Sequence, residues 1–157
     1  MIEFREITWE NFDRCLNLDV DEGQKHFVAS NVYSLAQAYV ATVEGETTVM
    51  PFAIYTDETL IGFIMMTYEH VHENGDGACY NIVRLMIDKL HQKKGYGKLA
   101  VLEAIDYIKE FPKGEAVAIY LSYEPENEAA RNLYAYVGFE ETGQVDEDGE
   151  LIAKIEI

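Results

Sequence analysis

Two stretches of this sequence combine residue types and spacing that could do chemistry. The first is Gln92-Lys93-Lys94-Gly95-Tyr96-Gly97-Lys98, which comes after the apolar run ending at Ile87 and leads into a helical pattern. Glycines at a helix start leave backbone N–H groups bare, with no Cβ to hold a ligand off. Those N–H groups lack partners inside the helix, and the dipole there favours negative charge. A strand, a glycine turn and a helix start thus make a seat for phosphate. Lys93, Lys94 and Lys98 add positive charge to a chain that has little, with 12 Lys plus Arg against 29 Asp plus Glu. The dinucleotide fingerprint does not fit, because Ala100 stands at its third glycine and the stretch lies mid-chain. The P-loop pattern lacks both its upstream spacing and its hydroxyl.

The second stretch runs from Pro125 to Phe139. On a helix, Asn127, Ala130, Arg131 and Tyr134 fall on one face, placing an amide, a guanidinium and a phenol along a cleft. Ala129, Leu133, Tyr136 and Val137 make a second stripe, expected in the core. His70 and His72 alternate on one strand face. With no third ligand in view, they are expected as an edge-strand pair, and no metal site is predicted.

The frame for these groups comes from periodicity. Met1 to Thr8 reads as a strand, and Thr8 suits the cap of a helix from Trp9 to Leu18. Ser30 can cap a helix from Asn31 to Thr42, with Val32, Leu35, Ala36 and Tyr39 at helical spacing. Val49–Tyr55 and Leu60–Val71 form a hairpin, Glu73–Gly77 a turn, and Cys79–Ile87 a further strand. A helix from Gly95 to Glu110 buries Leu99, Leu102, Ile105 and Ile108. Ala116–Ser122 reads as a fully buried strand, and Glu126–Val137 as a helix stopped by Gly138. Phe139–Val145 and Leu151–Ile157 close the chain as a hairpin around Asp146-Glu147-Asp148-Gly149. Consecutive hairpins exclude a purely parallel sheet, so a mixed α/β sheet in one domain, 1–157, is expected.

Bulk properties narrow the function. The formal net charge of −17 disfavours nucleic acid and attracts cations. No apolar run reaches the ~18 residues of a membrane span, and the first residues do not read as a signal peptide. Cys15 and Cys79 are isolated, so neither a disulfide framework nor a zinc pattern is indicated, and a cytoplasmic protein is expected.

Together, Gln92-x-x-Gly95-x-Gly97 and Asn127…Ala130…Leu133-Tyr134…Gly138-Phe139 resemble the two signatures of the GNAT N-acetyltransferases, in the right order. The resemblance implies the GNAT fold, an α/β architecture with about seven strands, antiparallel in the middle with one splayed parallel pair, flanked by about four helices. It implies acetyl-CoA as cosubstrate. The backbones of Leu85, Met86 and Ile87 would bond pantetheine, and one N–H would polarise the thioester carbonyl. Gln92, Lys93, Lys94, Gly95, Tyr96, Gly97 and Lys98 would hold the pyrophosphate, Asn127 and Arg131 would contact the cofactor, and Tyr134 would protonate the departing thiolate. Lys93 departs from the pattern, which usually has Gly there.

Within the family the chain looks most like bacterial spermine/spermidine acetyltransferases. That likeness rests on Arg84-Leu85-Met86-Ile87-Asp88, on Ala118–Ser122 and on Gln24…Phe27…Ser30…Ser34-Leu35, and the acidic charge suits a small cationic amine. Glu22, Glu69 or an ordered water could serve the amine as base or binding group. Another acceptor (an aminoglycoside, a small metabolite or a peptide N-terminus) and a non-catalytic acetyl-CoA-binding module are the alternatives. Dimers are common in the family, so a homodimer is among the expectations.

Overall fold

A computed structural model describes residues 1–72 and 77–157. Of the expected turn Glu73–Gly77, only Gly77 lies within them. The described chain runs β1 (Ile2–Glu6), α1 (Phe12–Asn17), α2 (Asn31–Glu44), β2 (Thr48–Thr56), β3 (Thr59–Glu69), β4 (Cys79–Ile87), α3 (Tyr96–Lys109), β5 (Ala118–Tyr123), α4 (Glu128–Val137), β6 (Glu140–Val145) and β7 (Leu151–Glu156). Short 3₁₀ turns at Glu22–Gln24 and Lys89–His91 stand where loops were expected. The strands form one seven-stranded sheet in the order β1-β2-β3-β4-β5-β7-β6. Every pairing is antiparallel except β4 with β5. This is the expected mixed sheet.

The β4–β5 pair opens part-way along. Its parallel register runs from Cys79↔Ala118 only to Ile82↔Leu121, although both strands continue. On the other side of β4, Met65 faces Arg84 and Met66 faces Ile82, so Val83 is an inserted residue. Side-chain alternation slips there: Tyr80 and Ile82 share a core cluster with Ile87, with Leu85 packed against it. A bulge bends its strand and re-aims the side chains beyond it. It sits where the two strands part.

The helices cover both faces. The α3 side carries Ala100, Val101, Ala104, Ile105 and Ile108 onto Tyr80, Ile119 and Leu121. The α1–α2 side places Cys15 and Ala38 against Ala53, Phe63 and Met86. Three helical stripes differ from expectation. Leu99 and Leu102 are exposed, because Ala100 and Ala104 let the backbone of α3 approach the sheet more closely. On α2 the buried residues are Asn31, Ser34 and Ala38, while Val32 and Tyr39 face outward. On α4 the packed face is Ala130, Leu133, Tyr134 and Val137, with Tyr136 exposed. α1 begins later than expected because Thr8 O accepts from Asn11 N (3.2 Å) and Phe12 N (2.9 Å), a turn that leaves Trp9 in solvent. Ser30 does cap α2, its Oγ accepting from Tyr33 N at 3.1 Å.

Candidate active site

Where β4 and β5 part, a cleft of about 1380 Å³ opens, reaching the loop before α3, the start of α4, the α1–α2 connection and the β6–β7 turn. Leu85, Met86 and Ile87 line one wall. Beyond Ile82 β4 has no parallel partner, which leaves its inward-facing backbone groups for a ligand. Gln92 ties the next loop to this wall, its Nε2 donating to Ile87 O and to Gln24 Oε1, both at 2.9 Å. Asp88 ties in the α1–α2 connection, its Oδ1 accepting from Asp19 N at 2.9 Å.

The loop expected to hold pyrophosphate leads from β4 through a 3₁₀ turn into the start of α3. Gly95 caps α3 at φ 81° and, like any glycine, offers no capping side chain. Gln92, Lys93, Gly95, Tyr96 and Gly97 line the cleft. Two of the expected residues do not. Lys94 Nζ donates to Leu90 O at 3.4 Å, and Lys98 Nζ lies 4.1 Å from the Tyr136 ring centre. Their ammonium groups add field rather than contact.

On α4 the predicted face divides. Asn127, Ala130 and Tyr134 line the cleft. Asn127 is also the helix cap, its Oδ1 accepting from Ala130 N at 3.2 Å, which leaves its NH₂ group to donate. Arg131 points away and grips Glu141 with two nitrogens, Nε at 2.6 Å and NH2 at 3.0 Å. One residue's rotation beyond Ala130 carries it from the cleft wall to the β6 side.

Tyr134 stacks on Tyr123, ring centres 5.7 Å apart, and meets Phe139 edge-on at 5.9 Å. Burial, reinforced by Tyr123 and Glu150, pushes its phenol up to about 12. Tyr123 is likewise pushed up to about 12 by burial and by Glu141, whose Oε1 accepts its O–H at 2.9 Å.

Neither expected carboxylate reaches the cleft. Glu22 pairs with Lys25 at 2.8 Å, and Glu69 lies against Cys79 Sγ at 3.9 Å. Instead the cleft wall carries Glu150, whose Oε2 accepts from Ser122 Oγ at 2.9 Å. Burial pushes Glu150 up, with Asp146, Glu124 and Asp148 adding to the effect. The sequence signal for Glu150 was its place directly after the acidic turn of the last hairpin, a pattern that reads equally as a solvated loop. The two histidines separate: exposed His70 meets Tyr68 edge-on at 5.2 Å, while buried His72 stacks on Tyr120 at 4.0 Å. Among the described residues no group of His, Cys, Asp and Glu is arranged to hold a metal ion.

The sequence matches the profile of the acetyltransferase (GNAT) family over residues 3–139. It is 29% identical over 153 residues to the spermine/spermidine N(1)-acetyltransferase of Bacillus subtilis strain 168, covering 96% of this chain and 95% of that one. Among solved structures, spermidine N-acetyltransferase from Vibrio cholerae, in complex with CoA and spermine, superposes with a TM-score of 0.67 at 18% identity, over 99% of this chain and 94% of that one. An aminoglycoside acetyltransferase in complex with coenzyme A superposes with a TM-score of 0.74 at 16% identity, over 99% and 95%. With its two signatures, its split parallel pair and a match over residues 3–139, the chain belongs to the GNAT family of acetyl-CoA-dependent acetyltransferases.

Proposed function

We propose that this chain acetylates a primary amine of a polyamine such as spermidine or spermine, by direct attack within a ternary complex. The observation that carries this reading is the acidic lining of one end of the cleft, where Glu124, Glu126, Asp146, Asp148 and Glu150 converge. A flexible polycation is the small amine such a wall attracts most strongly. The named activity of the Bacillus subtilis relative supports the same reading. Among the described residues no helix is long and apolar enough to cross a membrane.

In this reading the start of α3 receives the pyrophosphate, and the unpaired end of β4 aligns the pantetheine arm. A β4 N–H donates to the thioester oxygen as negative charge grows on it, a contribution on the order of 2.7–4 kcal/mol. Tyr134 donates to the sulfur as the C–S bond breaks. A phenol near 12 stays protonated throughout the neutral range. Tyr134 therefore acts by hydrogen-bonding the sulfur during cleavage, with the proton moving as the bond breaks.

The test is CoA thiol release from acetyl-CoA with spermidine, spermine, kanamycin and an alanyl peptide, in the wild type and in Tyr134→Phe. The reading expects turnover on the polyamines and a drop in kcat of about 100-fold in the variant, with KM for acetyl-CoA nearly unchanged. Turnover on kanamycin or the peptide alone discards the polyamine. An unaltered kcat in Tyr134→Phe discards the phenol as donor.

A further inference from the structure

The two sides of the β4–β5 gap carry different chemistry, and this assigns a role the sequence left open. Along β5, Ile119, Leu121 and Tyr123 belong to the core beneath α3, and Tyr134 packs onto Tyr123 from that side. Ala118 and Tyr120 belong to the opposite face, and alternation puts Ser122 there too. The phosphate seat at Gly95 and the phenol of Tyr134 lie on the α3–α4 side, so the thioester sulfur belongs with them. The amine must then approach the carbonyl carbon from the face that carries Ser122. On that face Ser122 Oγ holds Glu150 Oε2 at 2.9 Å, and Glu150 lines the cleft. Its backbone is fixed by the hairpin, with Glu150 N donating to Asp146 Oδ1 at 2.9 Å and Asp146 N to Glu150 O at 3.0 Å. The carboxylate is thus anchored both at its tip and at its main chain.

We propose that Glu150, positioned by Ser122, accepts the N–H proton that the attacking amine sheds as it becomes an amide. This rests on the acetyltransfer reading but not on the identity of the amine. The amine nitrogen bonds to the thioester carbon, and the C–S bond breaks with its electron pair going to sulfur. The sulfur takes the proton of Tyr134, and the nitrogen gives one proton to Glu150. Glu150 then releases its proton to solvent and Tyr134 regains one, leaving an N-acetyl amine and CoA thiol. The groups that face Glu150 are Asp146 and Asp148 from the turn, Glu124 from the end of β5, and Tyr134 from α4. The partial burial of Glu150, and then the negative charge of Asp146, Glu124 and Asp148, raise its proton affinity, the direction a base acting near neutral pH needs.

The experiment compares wild type, Glu150→Gln, Glu150→Asp and Ser122→Ala, using whichever of spermidine, spermine, kanamycin or an alanyl peptide the wild type acetylates. Acetyl-CoA affinity is measured alongside by calorimetry. We expect kcat at pH 7 to fall about 100-fold in Glu150→Gln, well beyond any rise in KM for the amine from the lost wall charge, with the acetyl-CoA affinity nearly unchanged. Glu150→Asp should recover part of the rate. In Ser122→Ala, the acid limb of kcat against pH should shift upward, because a donor to the ionised carboxylate has been removed. A rise in KM with kcat intact would overturn the proposal in favour of simple cation binding. An unchanged kcat would overturn it outright. Wild-type turnover confined to kanamycin or the peptide would remove the polyamine while leaving Glu150 tested on that substrate.

Discussion

At the scale of single residues, Lys93 shows how a departure from a pattern becomes a backbone cost. It sits at φ 61°, a left-handed conformation that costs a non-glycine residue roughly 1–2 kcal/mol. Glycine avoids that cost but loses more freedom on folding, an offset of about 0.5–1 kcal/mol. Lys93→Gly should therefore raise stability by up to about 1 kcal/mol, seen as a rise in Tm of a few degrees. It should also weaken acetyl-CoA binding severalfold by removing a cation from the cleft wall. A lower Tm would show that the lysine is held by contacts that outweigh its strain. The thiols make a second residue-scale prediction. Burial pushes Cys15 up to about 11 and, with Glu69 adding to it, Cys79 up to about 12. The reactive thiolate forms above those values, so at pH 8 neither thiol should react with a maleimide in the folded protein. Fast labelling of either would refute this. Tyr134 was legible in the sequence because it sits inside a spaced motif, whereas Glu150 was not. Its partner Ser122 lies 28 positions away, and only the β5–β7 pairing joins them.

At the scale of elements, β4 is held from behind by a glycine. A Cβ on Gly62 would collide with Met86 O and would stand 3.0 Å from Ile87 Cδ1. Glycine inside a strand often marks such a close approach, and here the approaching strand forms the cleft wall. Gly62→Ala should destabilise by about 1–3 kcal/mol through overpacking. It should also raise KM for acetyl-CoA more than KM for the amine, because the displaced residues are Met86 and Ile87. Equal changes in both KM values would place the damage elsewhere. The bounds of β4 and the caps at Ser30 and Gly138 were readable from local chemistry. The buried stripes of α2, α3 and α4 were readable only in part: Leu35, Ile105, Ile108, Leu133 and Val137 pack inward as expected, and the others do not. Hydrophobicity alone points Leu99, Leu102 and Tyr136 inward, but where a sheet demands close approach, alanines win the contact and the larger residues are left outside. Arg131 was misplaced for a different reason: spacing put it on a face with Tyr134, yet its guanidinium pairs with Glu141 on the neighbouring strand β6.

At the scale of the whole molecule, the order of elements and the mixed sheet could be read from hairpin and helix patterns. The break between β4 and β5 was expected only through the family resemblance, because it coincides with one inserted residue, Val83, that no periodicity singles out. Charge was legible throughout, and it makes a prediction with two signs. In the proposed reading, a net charge of −17 draws in a polyamine and repels the anionic acetyl-CoA, a repulsion that groups at the start of α3 would overcome locally. Added salt screens both effects, since the Debye length falls from about 30 Å at 0.01 M to about 10 Å at 0.1 M. KM for spermidine should therefore rise severalfold over that range, while KM for acetyl-CoA falls or holds. Steady-state kinetics with each substrate varied in turn, in sodium chloride, would read both trends. A KM for spermidine that stays flat would show that the acidic field does not steer the amine. A KM for acetyl-CoA that rises alongside that for spermidine would show that attraction at the start of α3 outweighs the overall repulsion, because it too is weakened by screening. If the two KM values diverge, the surface charge and the acidic end of the cleft act as one collector for a cationic substrate, and charge-reversing pairs at Asp146 and Asp148 should flatten the spermidine trend first.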